Sequence, residues 1–357
     1  MSGGPCIEMD GRLLPFEEGE TLLEIARRVG VEIPTLCYDP RLEAFGGCRL
    51  CIVSVKGFRN PVASCTTRAE DGMVVETRTE EILSVRRTLL EMVASEIRTP
   101  EAPELAGMAA REFQHTIAAH GARTDRFRGA LSGRRREDDD NPFILRDYEQ
   151  CIACYRCVRV CAEQEGDHAI SVAGRGFQAR IATEGDGLLE GSACTFCGQC
   201  VQTCPTGALA DRKALRFEDL PGAVRKTRTI CNYCGVGCSV DLLSKGDRLV
   251  GIHPAMDGRA NQGALCVKGQ FAFDFVQHEE RLTTPLVRGD DGRLHPASWD
   301  EALDRAAEGL RRAADAHGPA SLYAIASGRA PNEAAYVLQK LMRAGWGINH
   351  VDNCSRA

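Results

Sequence analysis

Sixteen of the eighteen cysteines in this 357-residue chain fall into four groups whose spacing is that of metal ligands. Cys151, Cys154, Cys157 and Cys161 follow C-x2-C-x2-C-x3-C, and Cys194, Cys197, Cys200 and Cys204 repeat the pattern 43 residues later, with Pro205 next. Three thiolates at two-residue gaps wrap one corner of a 4Fe-4S cube with backbone amides directed at the sulfurs, and the fourth cysteine reaches across to the other cube. The spacing therefore predicts one cube on Cys151, Cys154, Cys157 and Cys204, and another on Cys194, Cys197, Cys200 and Cys161. Structural zinc is the alternative, but such sites pair two C-x2-C knuckles and do not call for a run of four. Cys37, Cys48, Cys51 and Cys65 are spaced x10, x2 and x13. That spread fits a 2Fe-2S cluster in a loop over a sheet, although the plant-type pattern opens with x4; a zinc knuckle is the alternative. Gly46 and Gly47 would let backbone approach those sulfurs. The fourth group, Cys231, Cys234, Cys238 and Cys266, reads C-x2-C-x3-C-x27-C. Cys6 and Cys354 have no partner spacing and read as small packed thiols.

Placing these groups requires several small modules. Composition is that of a globular chain, 43% hydrophobic and 26% charged. A net charge of -6 offers no basic face for nucleic acid, and no apolar run approaches the roughly 18 residues of a membrane span. The first residues lack the basic and apolar regions of a signal peptide, so the chain is expected in the cytoplasm. Residues 1–79 read as a small α+β unit. It has a hairpin turn at Asp10-Gly11, a helix with Leu22, Leu23, Ala26 and Val29 on one side, a strand through Val53 and Val55, and a turn at Glu70-Asp71-Gly72. Residues 80–140 hold a helical stripe (Ile82, Val85, Leu89, Leu90, Val93), then Pro- and Ala-rich sequence with His115 and His120 as exposed helix residues. The charged run from Arg134 to Asp140 reads as a solvated linker. Residues 141–220 carry the repeated pattern and 225–282 the fourth group. From residue 283 a capping box, Ser298 to Glu301, opens a helix with a stripe at Leu303, Ala306, Ala307 and Leu310. Strand, helix and strand follow, as at the start of a parallel α/β domain.

Residues 146–210 resemble the two-cluster bacterial ferredoxin module. The 1–79 unit resembles the N-terminal 2Fe-2S domain of multi-cluster oxidoreductases, including the large iron-sulfur subunit of NADH dehydrogenase and cytoplasmic formate dehydrogenases, which implies a β-grasp fold. "CNYCGVGC" with "ALCVKG" resembles the 4Fe-4S domain of bis-molybdopterin guanine dinucleotide enzymes. That likeness covers 227–357 and implies a third 4Fe-4S cube on Cys231, Cys234, Cys238 and Cys266. It also implies an electron relay at Lys268 between cube and pterin, and molybdenum or tungsten held by the full-length enzyme. A surface lysine is the plain alternative for Lys268. Larger relatives carry a further His-and-three-Cys site after a stretch like "LLEMVASE"; Ile97 stands where its histidine would, so four clusters are expected and not five.

"VDNCSR" looks like formate dehydrogenase more than assimilatory nitrate reductase. The resemblance implies formate oxidation, or CO2 reduction, with electrons leaving through one 2Fe-2S and three 4Fe-4S clusters. A flavin/NAD diaphorase-type subunit, a ferredoxin or a hydrogenase would take them. No catalytic residue is expected before Ala357; the metal ligand, cysteine or selenocysteine, is expected to follow it, a selenocysteine codon read as stop being the reason. Two rivals are a stand-alone electron-transfer subunit and the NADH dehydrogenase subunit, the latter disfavoured by the intact two-cube module.

Overall fold

The Asp10-Gly11 turn, both residues at positive φ, folds Cys6–Met9 (β1) back onto Arg12–Pro15 (β2) as the sequence predicts. The computed structural model describes residues 4–98, 101–127, 134, 136–137 and 141–354. Leu22–Arg28 (α1) starts at a reciprocal capping box, Thr21 accepting from the Glu24 amide and the Glu24 carboxylate accepting from the Thr21 amide. Ile52–Val55 (β3), Val62–Ala63 (β4) and Val74–Glu76 (β5) complete a sheet of order β2-β1-β5-β3-β4, parallel only between β1 and β5. Leu22, Leu23, Ile25 and Ala26 pack on Ile7, Met9, Val53 and Val75, making one core beneath the loop that carries the first cysteines.

Glu80–Ala94 (α2) is a helix as expected, but its buried face is rotated from the apolar stripe. Ile82, Arg86, Leu90, Glu91 and Ala94 are buried, whereas Val85 is exposed. Arg86 explains the rotation: it donates to the carbonyls of Leu50 at 3.1 Å and Ile52 at 2.6 Å, drawing a charged position inward. The stretch after it is no loose connection. Ala102, Leu105, Ala106, Ala110 and Phe113 are buried, and the Glu218 carboxylate accepts from the amides of Glu104 and Leu105 at 2.7 and 2.9 Å. Phe113 lies in Glu112–Ala119 (α3), from which His115 projects to solvent. Ile97 joins Leu36, Leu50, Leu90, Ala94 and Phe113 in an apolar cluster.

Arg134 departs from the solvated reading. It is buried and donates to the carbonyls of Ala179 and Cys151, because the module behind it leaves those acceptors open. Arg136–Glu137 (β6) then pairs with Ile144–Asp147 (β7), which pairs in turn with Leu209–Asp211 (β10 in chain order). The remainder of the charged run lies outside the described residues. Between these strands come Arg156–Val160 (α4), the hairpin Ser171–Ala173 (β8) with Arg180–Ala182 (β9), and Gln199–Thr203 (α5). Arg212–Leu215 (α6) follows, capped by Asp211.

Arg225–Ile230 (β11), Ser239–Lys245 (β12) and Arg248–Pro254 (β13) form an antiparallel sheet, and Val267–Phe271 (α7) packs on β13. The last unit contains the hairpin Leu286–Arg288 (β14) with Leu294–Pro296 (β15), then Trp299–His317 (α8), Ala324–Ala326 (β16), Asn332–Lys340 (α9) and Val351–Asn353 (β17). Ser298 caps α8, and β16 pairs with β17 in parallel, as the alternation predicts. The α8 stripe is not covered: Leu303 and Leu310 are exposed and Ala314 is the buried residue of that helix. Cys354 is exposed too, its sulfur accepting from the Gly328 amide at 3.2 Å, so it is not a packed thiol. Cys6 is half-buried at the start of β1. The junction where the metal ligand was expected, after residues 355–357, lies outside the described residues. Among the described residues no helix is long and apolar enough to cross a membrane.

Candidate metal centres

The loop between α1 and β3, which carries Cys37, Cys48 and Cys51, and the segment after β4, which carries Cys65, place the first four cysteines as two pairs. The sulfurs of Cys51 and Cys65 are 3.4 Å apart, and the Cys37 sulfur accepts from the Cys48 amide at 3.4 Å. Within each pair the neighbouring sulfur shifts both thiols, Cys48 and Cys51 below the usual thiol range and Cys37 and Cys65 above it. Gly46 has φ +67, and a Cβ there would stand 3.1 Å from Thr66. The Gly47 amide is directed at the Cys37 sulfur, in line with the expectation, and Gly47 also makes room for the Phe45 ring, which a Cβ would meet at 2.3 Å.

The repeated pattern closes two separate cavities. One is lined by Cys151, Cys154, Cys157 and Cys204, the other by Cys161, Cys194, Cys197 and Cys200, and each has a volume of about 20 Å³. The crossing arises because Cys161 ends α4 and Cys204 ends α5, and the two helices pack together. Backbone conformation repeats as well. Ala153 and Tyr155 have positive φ, as do Phe196 and Gly198 at the matching positions, and Ala153 and Phe196 each donate an amide to the first sulfur of their ring at 3.4 Å. Left-handed backbone costs a non-glycine residue about 1–2 kcal/mol, so three such residues at equivalent places mark conformations held for a purpose. The walls are apolar: Ile144, Tyr148, Ile170, Ile181, Leu189 and Leu209 surround the sulfurs. Burial pushes the Cys151 thiol up to about 11 and those of Cys154 and Cys197 to about 12. Four thiolates in such a cavity are stable only beside positive charge, which a metal supplies on binding.

The fourth group is open by comparison. Cys231 and Cys238 are half-buried at the ends of the β11–β12 loop, joined by the Cys231 amide donating to the Cys238 carbonyl at 2.8 Å, while Cys234 and Cys266 are exposed. All four are close enough that Cys231, Cys234 and Cys266 add to burial in pushing the Cys238 thiol up. Lys268 is exposed on α7, two residues beyond Cys266. Among the described residues no three His, Cys, Asp or Glu side chains are placed to hold a single metal ion.

Sequence spacing missed the buried arginines beside these rings. Arg156, between Cys154 and Cys157, makes a two-pronged contact with Glu112 at 2.7 and 2.8 Å, and Arg86 grips the carbonyls flanking Cys51. A basic residue between two ligand cysteines was the available signal.

Residues 6–80 match the family described as 2Fe-2S iron-sulfur cluster binding domain, and 141–210 the ferredoxin-like domain of NADH-quinone oxidoreductase subunit 3. Residues 224–278 match the molybdopterin oxidoreductase Fe4S4 domain, and 281–357 molybdopterin oxidoreductase. A Rhizobium meliloti (strain 1021) protein named as an NADH-quinone oxidoreductase subunit is 35% identical over 98% of this chain and 40% of its own length. A protein of Staphylococcus aureus (strain USA300), provisionally named a formate dehydrogenase, is 30% identical over 98% of this chain and 39% of its own. A chain in the crystal structure of an NAD+-reducing [NiFe]-hydrogenase in the H2-reduced state is 32% identical, with TM-score 0.52, covering 59% of this chain and 88% of that one. The chain thus spans about 40% of the length of the curated relatives it matches. The 141–210 match overturns one expectation, that a two-cube module sets the chain apart from NADH dehydrogenase subunits. With 2Fe-2S, ferredoxin-like, Fe4S4 and molybdopterin segments in this order, the chain belongs to the molybdopterin oxidoreductase family, as an N-terminal iron-sulfur electron-transfer module.

Proposed function

We propose that the chain is the electron-transfer portion of a formate dehydrogenase. It would hold one 2Fe-2S cluster on Cys37, Cys48, Cys51 and Cys65, and 4Fe-4S clusters on the two crossed rings and on Cys231, Cys234, Cys238 and Cys266. The observation that carries the wire is the pair of equal cavities, each ringed by three cysteines of one repeat and the fourth of the other. Iron-sulfur clusters supply one-electron chemistry when bound, and a pterin-held molybdenum or tungsten the two-electron chemistry at formate. The protein's part is to fix the thiolates, aim amides at the sulfurs from Ala153 and Phe196, and keep water from the two inner rings with apolar walls. The formate assignment rests on "VDNCSR" and on the Staphylococcus relative. A diaphorase-type subunit is the favoured electron acceptor, since an NAD+-reducing enzyme is among the structural relatives. The cytoplasm is the proposed compartment.

A second reading is the large iron-sulfur subunit of an NADH dehydrogenase, favoured by the ferredoxin-like match and the Rhizobium relative. Anaerobic dye reduction by the full-length protein separates the two: formate-dependent reduction supports the first, and reduction by NADH through a partner with none by formate supports the second. Lys268 is assigned to electron passage in the first reading. Lys268→Ala is then expected to slow cluster reduction by formate at least tenfold with little change in formate binding, measured by rapid mixing. An unchanged rate would return Lys268 to an ordinary surface position.

A further inference from the structure

The ten residues between Cys37 and Cys48 form a longer loop than the plant-type pattern uses, and the structure shows what the added length reaches. Asp39 and Arg41 form a two-pronged ion pair within it, Nε to Oδ1 at 3.0 Å and Nη2 to Oδ2 at 2.8 Å. Both side chains are nearly sealed from solvent, 8% exposed for Arg41 and 6% for Asp39. A buried pair is tolerated when its remaining hydrogen-bonding capacity is filled, and other modules fill it here. Arg41 Nη1 donates to Gln199 Oε1 at 2.6 Å and to the Gly263 carbonyl at 2.8 Å, and Thr203 Oγ1 donates to Asp39 Oδ2 at 2.7 Å. Gln199 and Thr203 are the first and last residues of α5, which contains Cys200 and runs directly into Cys204. The pair therefore holds both ends of the short helix that gives one cysteine to each ring. Gly263 stands three residues before Cys266, and a Cβ there would come 3.3 Å from the Arg41 side chain. With the guanidinium held in a two-pronged contact and Thr203 donating to the same carboxylate, the geometry is that of a pair of opposite charges.

Resting on the reading of the two rings as 4Fe-4S ligands, we infer that Asp39 and Arg41 are positioning residues that clamp α5 between the cubes and, as a sealed pair of opposite charges, set the cubes' reduction potentials. Reduction adds negative charge, so a nearby cation eases it and a nearby anion opposes it, most strongly where solvent is excluded. The two residues thus act with opposite sign although they share one structural role.

The test is an anaerobic redox titration of the full-length protein, followed by the electron paramagnetic resonance of its 4Fe-4S signals. Arg41→Gln leaves Asp39 uncompensated and is expected to shift at least one cube to lower potential. Asp39→Asn leaves Arg41 uncompensated and shifts it higher. The double variant returns towards wild type, and Arg41→Lys, which keeps the charge, stays near wild type even where Arg41→Gln fails to accumulate. A purely structural clamp predicts shifts of one sign for both single variants, largest in the double. That outcome, or unshifted potentials with every signal intact, overturns the inference. Absence of 4Fe-4S signals in the wild type overturns the ligand reading and this inference with it.

Discussion

Arg86 shows what the sequence does not disclose at the scale of a residue. Its burial comes from two carbonyls on a separate strand, and nothing in the α2 periodicity marks it. Burial lowers its pKa to about 10, which still leaves the guanidinium charged at neutral pH. Arg86→Met removes both hydrogen bonds and strands two buried carbonyls beside Cys51, so a loss of about 2–4 kcal/mol is expected in urea unfolding. The ligand cysteines are the opposite case: their chemistry depends on local spacing, which a sequence displays directly. His253, buried on β13, gives a pH signature. Burial pushes its pKa down to about 4, and nearby Lys226 adds to this. The unfolded chain takes up that proton first, so the stability from a neutral His253 is complete above about pH 6.5 and is lost as pH falls towards 4, up to about 3 kcal/mol. His253→Gln should flatten this part of the urea-midpoint profile; an unaltered profile would assign the acid sensitivity elsewhere.

At the scale of elements, caps and turns were readable because their determinants are local: Asp10-Gly11, Ser298 and the β16–α9–β17 alternation all form. Residues 101–119 were not, since their small apolar side chains follow no clear period and are buried only by modules distant in sequence. The α8 stripe failed for a related reason, an apolar period requiring a face to pack on before it becomes core. Helix α5 can be tested directly. Gly198 before it has φ +77, and a Cβ would stand 2.6 Å from the Gln270 side chain and 3.1 Å from the Phe271 ring. Gly198→Ala should cost about 2–4 kcal/mol through strain and forced separation at that contact, and should loosen iron held by Cys194, Cys197 and Cys200. Thermal unfolding with iron analysis checks both; wild-type values for each would show that the contact yields freely.

Across the whole molecule the modules are joined by pairs of charges and by ring contacts. Lys213 donates to the Phe271 carbonyl at 2.6 Å and pairs with Asp274, Phe143 stacks on Phe271 at 5.1 Å, and Phe45 meets Tyr155 edge-on at 6.0 Å. Module order was legible from the cysteine groups, but their mutual docking was not, because each contact pairs residues with no local motif. The apolar cluster around Ile97 occupies the region where a His-and-three-Cys site would stand, and it joins Cys48 to Ile152 through packed side chains. Iron and acid-labile sulfide per chain, measured after anaerobic purification with Mössbauer spectra to sort the cluster types, test the central claim most directly. One 2Fe-2S and three 4Fe-4S clusters predict about fourteen iron atoms. Zinc in place of iron, or about eighteen iron atoms with an additional cube, would contradict the account.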